Sequence, residues 1–192
     1  MKQNQSGDAP QKKKKSGLTT FLIFIVMLLG WGIIFYPTFS DWWNSFHQTR
    51  AIATYSAAVE ETDTGLIEKM LEDARNYNKR LLTKGNRYHM DEEEQEEYES
   101  LLNLSGNGII GYINIKCIDV NLPIYHGIEE NVLQIAIGHI EGSSLPVGGE
   151  NTHTVLSGHR GLPSARLFSD LDKMKEGDTF TITVLNQTIT YE

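Results

Sequence analysis

The residue best suited to chemistry in this chain is a histidine that follows an apolar strand pattern. His159 lies in the run TVLSGHRGLPSA, residues 154–165, just before a loop marked by glycine and proline. A rigid strand can present a side chain at a loop rim, where binding and catalytic groups often lie. Because imidazole gains and loses a proton near neutral pH, the expected role is general acid or base. A structural histidine in a turn is the alternative on residue type alone.

A histidine of this kind acts on a nucleophile, and the sequence offers a single thiol. Cys117, the only cysteine, stands in the strand-like run INIKCI, residues 113–118. We interpret it as a buried or half-buried strand thiol rather than a catalytic one. One cysteine also excludes an intramolecular disulfide. We therefore expect no nucleophile within these 192 residues.

The other histidines near His159 lack the spacing of a metal site. His153 is six residues before it and His139 lies further back, so a zinc cluster was one interpretation. The spacing is not the helical His-x-x-x-His pattern, and no cysteine or clustered carboxylate completes a ligand set. We expect no metal and no cofactor. Instead, we predict that His126, His139 and His153 form local hydrogen bonds at strand ends.

The elements that must position His159 form a β-rich segment over residues 105–192. Glycine and β-branched residues become frequent here, and short strand-like runs alternate with turn signals. The predicted strands are Ile109–Ile115, Ile118–Tyr125, Thr152–Ser157, Thr179–Val184 and Thr188–Tyr191. Many short strands at close spacing are typical of an antiparallel barrel or sandwich. The last run is still in strand pattern where the sequence ends, so we expect an incomplete barrel.

Residues 37–104 are predicted to be helical. One helix is expected over Asp41–Glu60, and a second, ending near Gly85, has an apolar stripe at spacings of three and four over Leu66–Leu82. The run DEEEQEEYE, residues 91–99, carries seven carboxylates. Neighbouring carboxylates on a helix point in different directions, so we interpret this run as a solvated helix face rather than a metal site.

An apolar run without charge precedes these helices and predicts a membrane anchor. Residues 18–36 would span about 29 Å as a helix, which matches a hydrocarbon core of about 30 Å. A cleaved signal peptide is the alternative, but the run is longer than the usual apolar region of about 7–15 residues, and no small-residue cleavage site follows. Trp31, Trp42 and Trp43 fit an interfacial aromatic belt.

The charge distribution predicts the orientation and excludes one class of function. Residues 1–17 hold five lysines and one aspartate, although the chain as a whole has a net charge of -8. A basic tail before an anchor is retained in the cytoplasm, so the body is expected on the extracellular face of the cell membrane. Since a surface that binds a polyanion is basic, the acidic body is not expected to bind nucleic acid.

Four sequence blocks follow one another almost without a gap from residue 111 to residue 178. They are GYINI (111–115), NLPIYHG (121–127), GHIEGSSLPVGGENTHTVLSGHRGLPSARLF (138–168) and DLDKMKEGD (170–178). Together they resemble the class C sortases, membrane-anchored cysteine transpeptidases that assemble pili on Gram-positive bacteria. The resemblance implies a mainly β fold: a sortase-type β-barrel, incomplete here, preceded by a transmembrane helix and amphipathic helices.

This resemblance divides the chain into four expected parts. They are a basic cytoplasmic tail (1–17), a transmembrane anchor (18–36), an extracellular helical or lid region (37–104) and the N-terminal part of the catalytic barrel (105–192). Members of the family usually carry an Asp-Pro-aromatic motif in a lid ahead of the barrel. This chain has no proline between Pro37 and Pro123, so the motif is absent.

The resemblance also implies an activity and a partner. Class C sortases cleave LPxTG-type sorting signals between Thr and Gly, and they join pilin subunits through a lysine isopeptide bond. His159 matches the family's general acid/base position. The family's nucleophilic cysteine, in a Thr-Leu-x-Thr-Cys motif, and its arginine lie on later strands and have no match here.

Two functions therefore remain open at this point. The first is the N-terminal portion of an active pilus-assembling transpeptidase. The second is a truncated, catalytically inactive sortase-like membrane protein that at most binds sorting signals or pilins. We expect the 192-residue chain by itself to be inactive. The length of the motif match argues against an unrelated anchored β-domain.

Overall fold

The computed structural model describes residues 17–192, which form two compact units that divide between Tyr36 and Pro37. The predicted basic tail, apart from its last residue, lies outside the described residues. The helices and strands of the described part are α1 (Gly17–Glu61), α2 (Thr64–Thr83), α3 (Glu92–Ser100), β1 (Ile109–Ile115), β2 (Val120–His126), α4 (Glu130–Leu133), β3 (Ile137–His139), β4 (Leu156–Ser157), β5 (Phe180–Val184) and β6 (Gln187–Tyr191).

The first helix is longer than the sequence predicts. The apolar run and the helix expected over Asp41–Glu60 are one α-helix of 45 residues with Pro37 inside it. The expected break is absent because a proline removes only one backbone hydrogen bond, and the turns on either side of Pro37 keep the helix continuous. Up to Tyr36, α1 is long and apolar enough to cross a membrane by length and composition, a test that a signal sequence near the N-terminus also passes.

Six strands form one mixed sheet in the order β4-β3-β2-β1-β5-β6. The expectation of an antiparallel barrel was wrong for one pair, because β2 and β3 are parallel. The connection between them contains α4 and returns the chain to the same direction, as parallel pairing requires. Within residues 17–192 the sheet is not closed, and β4 and β6 are its edges.

Buried polar side chains fix the helices to the sheet. The Tyr55 hydroxyl of α1 donates to the Ile110 carbonyl (3.1 Å) and accepts from the Leu185 amide (2.7 Å). Asn78 of α2 bonds both backbone groups of Leu145, at 2.7 and 3.0 Å. Since the buried polar atoms of Tyr55 and Asn78 are satisfied, these contacts specify where the helices lie as well as adding apolar burial.

Candidate active site

His159 is placed by the backbone on both sides of it. A Cβ atom added to Gly158 would lie 2.4 Å from Cδ1 of Ile137 and 2.8 Å from Cδ2 of Phe168, so glycine allows the chain to pass close to the core here. The Phe168 amide donates to the His159 carbonyl (3.1 Å) and closes the following loop. β4 is antiparallel to β3, so His159, two residues after β4, lies toward the N-terminal end of β3.

The imidazole of His159 faces a carboxylate and retains a free nitrogen. Its side chain is 36% exposed, and Nε2 lies 4.0 Å from Oε1 of Glu130 at the start of α4. That distance is too long for a hydrogen bond, and Nε2 has no hydrogen-bond partner. Gln134 donates to the same Glu130 oxygen at 2.9 Å. The ring therefore has an unpaired nitrogen that is shielded from solvent and lies close to a carboxylate.

An apolar cleft of about 630 Å³ is lined by residues close to His159 in sequence, although not by His159 itself. Its lining includes Leu156 and Phe168, which are three and nine residues from His159 in sequence, and strand residues of β1, β5 and β6. Thr152, His153 and Thr154 supply polar groups. A mostly apolar cleft with a few polar groups has the size and character of a ligand pocket.

His139 has the opposite environment and is fully hydrogen-bonded. It is completely buried. Its Nε2 donates to the Ser144 carbonyl (2.9 Å), so its Nδ1 is the acceptor of the Tyr98 hydroxyl (2.9 Å). The same hydroxyl accepts from the Gly127 amide at 3.1 Å. Burial lowers the pKa of His139 to about 4, so the ring is neutral and has a structural role, as predicted.

His126 departs from its prediction. It is buried at the end of β2, and neither ring nitrogen has a hydrogen-bond partner. The ring instead makes an edge contact with Tyr98, with centroids 4.8 Å apart. Burial lowers the pKa of His126. The strand-end position was correct, but packing, not a local hydrogen bond, holds the ring.

Cys117 lies in a short turn between β1 and β2 and is exposed, rather than buried in a strand. Local desolvation, followed by the nearby Asp178 carboxylate, raises the pKa of its thiol. In the sheet, β2 and β3 stand between β1 and β4, and each strand spacing is about 4.8 Å. Cys117 and His159 therefore do not form the hydrogen-bonded pair that thiol activation requires.

The acidic run forms α3, with Asp91 as its N-cap in a capping box with Glu94. Glu94 forms an ion pair with Lys84, just after α2, and Glu97 forms one with Arg80 of α2. Among residues 17–192, no group of three or more His, Cys, Asp or Glu side chains is arranged to hold a metal ion. The acidic side chains thus act in helix capping and ion pairing, while Tyr98 is the buried anchor of α3.

The segment before the sheet contacts the end of β3 that is remote from His159. Gln95 of α3 bonds Glu141 at 2.8 Å, just after β3. A Cβ atom on Gly142 would meet the Arg87 carbonyl at 2.3 Å. Tyr98 contacts His139, the last residue of β3. These contacts direct residues 84–100 to the C-terminal end of β3, whereas His159 lies toward the N-terminal end.

Comparison with known proteins now assigns the family. A model of the sortase domain matches residues 113–192. The crystal structure of sortase C1 from Streptococcus agalactiae is 51% identical to this chain, with 74% of each chain covered and a TM-score of 0.72. The chain belongs to the sortase family.

Other sortases of known structure agree. Sortase C of Streptococcus pneumoniae is 40% identical over 74% of this chain and 72% of its own, with a TM-score of 0.64. A lid mutant of sortase A from Corynebacterium diphtheriae is 38% identical over 68% and 70%, with a TM-score of 0.62. No curated protein sequence gives a match. The neighbours confirm the predicted sortase fold and the resemblance to class C.

The sequence did not predict that the carboxylate of Glu130 lies near His159 in this sortase. Glu130 and Gln134 follow a turn, about 30 residues before the histidine, in a run with no strong helical signal. The contact arises from the parallel crossover, which brings α4 beside the loop after β4. A prediction of the parallel β2–β3 pair would have indicated it.

Proposed function

We propose that this sortase supplies the acid–base histidine and the apolar substrate face of a cysteine transpeptidase that acts on LPxTG-type signals of pilin subunits. The observation that carries the proposal is the imidazole of His159, half-exposed, with Nε2 unpaired beside Glu130. The apolar cleft of about 630 Å³, lined in part by Leu156 and Phe168, suits the leucine and proline side chains of such a signal. The similar structure of sortase C from Streptococcus pneumoniae gives insight into that enzyme's pilin substrate specificity.

In the proposed reaction a thiolate attacks the threonine carbonyl carbon of the signal. The Thr–Gly C–N bond breaks, and imidazolium at His159 gives its proton to the departing glycine amine. A thioester joins the enzyme sulfur to threonine. A pilin lysine amine then attacks the thioester carbonyl carbon and gives a proton to the imidazole. This attack forms the isopeptide bond and releases the thiolate. An arginine would stabilise the negative charge that develops on the carbonyl oxygen.

We further propose that Cys117 is not this nucleophile. Its thiol pKa is raised, and two strands of the sheet separate its turn from the strand that leads to His159. A nucleophilic cysteine needs a lowered pKa and a base within hydrogen-bond reach. The resemblance to the family implies that the thiolate belongs to a cysteine other than Cys117.

The apolar part of α1 is proposed to be a retained membrane anchor. Its length and composition suit a bilayer, and the lysines of residues 1–17 favour an N-terminus in the cytoplasm. The unit from Pro37 onward is then extracellular, where pilin subunits are joined.

Substrate binding is the direct test. The full chain in detergent is titrated with an LPxTG peptide and, as control, with a scrambled peptide of the same composition, while NMR signals of Leu156, Phe168 and Tyr191 are followed. We expect saturable shifts with the sorting signal alone. Equal shifts, or none, with both peptides would contradict the proposed substrate.

The second candidate, a protein that binds signals without cleaving them, is favoured by the position of Cys117. We expect no transpeptidation by the 192-residue chain, and a thioester on Cys117 in mass spectrometry would overturn this. The DNA after codon 192 separates the candidates. An in-frame Thr-Leu-x-Thr-Cys motif followed by arginine supports the transpeptidase, and a stop codon supports the binding protein.

A further inference from the structure

The segment of α1 just after Pro37 has its polar and apolar sides reversed relative to an ordinary surface helix. Asp41, Asn44 and Gln48, at spacings of three and four, are half-buried against the folded unit. The large aromatic side chains of the same helix segment face outward. They are Phe39, Trp42, Trp43 and Phe46, which are 59%, 60%, 51% and 55% exposed.

Specific hydrogen bonds hold the polar side in place. Oδ1 of Asp41 accepts from the Arg166 amide at 2.8 Å. Asn44 donates to the Ser164 carbonyl at 2.8 Å, and Gln48 donates to the Ile135 carbonyl at 2.7 Å. With its polar side fixed in this way, the helix cannot turn its aromatic side inward without losing all three bonds.

The aromatic side is one continuous surface. The rings of Phe39 and Trp42 have centroids 5.7 Å apart, those of Phe39 and Trp43 6.3 Å, and those of Trp43 and His47 4.8 Å. The surface continues into a largely apolar groove of about 370 Å³ lined by Trp43, Tyr125 and Ile135. A contiguous apolar surface of this kind on a soluble unit marks an interaction site.

We propose that this aromatic face, Phe39 to Phe46, binds the lipid headgroup–acyl interface of the membrane. Three features favour lipid over a protein partner. The face includes two tryptophans, which are enriched at membrane interfaces. Between Phe39 and Phe46 the only charged side chain is Asp41, which lies on the opposite side of the helix and accepts from the Arg166 backbone amide; His47, whose ring contacts Trp43, borders the face. It begins three residues after the apolar run in sequence.

The contact has a consequence for the site. The opposite side of the same helix segment bonds Ser164 and Arg166, in the loop that follows His159, and Ile135, which precedes β3. A helix face bound to lipid would therefore hold the loops around His159 next to the bilayer surface. This inference goes beyond the proposed reaction and rests on the proposed membrane anchor.

The three tryptophans of the chain provide the test. Full-length variants with one tryptophan each, W31F/W43F for Trp42 and W31F/W42F for Trp43, are placed in phosphatidylcholine–phosphatidylglycerol vesicles. We expect lipid brominated at acyl carbons 6 and 7 to lower their fluorescence at least twofold, and iodide to have little effect. The control is Y88W/W31F/W42F/W43F, because Tyr88 is exposed and lies outside α1; iodide should quench it and brominated lipid should not.

The remaining variant, W42F/W43F, leaves Trp31 and reports on the anchor. If the brominated lipid quenches Trp31 while iodide quenches Trp42 and Trp43, the inference is overturned and the anchor stands. If Trp31 is not quenched by brominated lipid, the anchor itself fails and the inference fails with it. If Trp42 and Trp43 are shielded from both quenchers, a second copy of the chain covers the face, and lipid binding is wrong.

Discussion

His139 and His159 lie toward opposite ends of β3, and their surroundings differ in kind. His139 is fully buried, hydrogen-bonded through both ring nitrogens and neutral. His159 is 36% exposed, with Nε2 unpaired and a carboxylate 4.0 Å away. The difference teaches that one imidazole is built into the core network, whereas the other keeps an unpaired nitrogen and is the one that we propose for proton transfer.

Replacement by alanine should separate the two histidines most clearly. H139A creates a cavity, removes one contact of the Tyr98 hydroxyl and leaves the Ser144 carbonyl without its donor, which should cost about 4 kcal/mol of unfolding free energy. H159A removes a half-exposed side chain and should cost less than about 0.5 kcal/mol. Urea denaturation of the full chain in detergent measures both.

A comparable loss in H159A would show that His159 is structural, which would weaken its assignment as the acid–base group. Y98F serves as the matched control for the buried network. It keeps the ring and removes the hydroxyl that contacts His139 and Gly127, so a loss of about 1–3 kcal/mol is expected.

Acid should destabilise the fold through His139. Its pKa is about 4 in the folded chain, against 6.5 for free imidazole. Between these values the unfolded chain binds the extra proton, so stability is complete above pH 6.5 and falls as the pH drops toward 4. The total loss is about 3 kcal/mol. His126, whose pKa is also lowered, acts in the same direction.

The measurement is the urea midpoint from pH 7.5 to 4 for the wild-type chain and for H139Q. The difference between the two curves removes the contribution of carboxylates and of His126. Curves that stay parallel would mean that His139 is not buried in its neutral form.

Gly158→Ala tests how the backbone places His159. The added methyl group would press on Ile137 and Phe168, at 2.4 and 2.8 Å, so we expect a loss of about 2 kcal/mol and a displaced loop. Thermal unfolding and the NMR signals of Phe168 report the two effects. Gly161→Ala is a useful contrast, because no atom lies within 4 Å of its added Cβ and only the positive φ of 74° opposes it.

The smallest effect is expected from Glu130→Ala. The exposed carboxylate is screened by solvent, so stability should change by less than about 0.5 kcal/mol. Because Oε1 of Glu130 lies 4.0 Å from Nε2 of His159, loss of the carboxylate should change the ring ¹⁵N chemical shifts of His159. Glu129→Ala removes the same charge one residue away and should leave those shifts unchanged. Equal changes in both variants would show that Glu130 has no specific effect on the ring.

Local sequence patterns predicted most of the regular structure. β1 was predicted with its exact bounds, and β5 and β6 within one residue. β3 was missed because it has only three residues, Ile-Gly-His, and its central glycine is a poor strand former. The parallel β2–β3 pair was also missed, since strand pairing depends on tertiary contacts that no local periodicity reports. The continuity of α1 was missed because the helix tolerates the one backbone hydrogen bond that Pro37 removes.

The site was predicted from its motif more than from its pattern. His159 was identified by the strand-to-loop position and by resemblance to a family, while its neighbour Glu130 is brought close only by the crossover through α4. His126 and His139 have similar sequence settings, at the ends of β2 and β3, but only one obtained partners. Hydrogen-bond satisfaction in a core depends on side chains from distant elements, here Tyr98 of α3.

The Tyr55 hydroxyl has a consequence for the order in which the chain assembles. Its acceptor contact, with the Leu185 amide, joins residues 130 positions apart. During synthesis, α1 emerges early, yet this bond forms only after the turn between β5 and β6 has appeared. Such a distant closure is slow compared with local helix formation. The C-terminal turns of α1 must therefore wait, incompletely docked, until the chain has been made as far as Leu185.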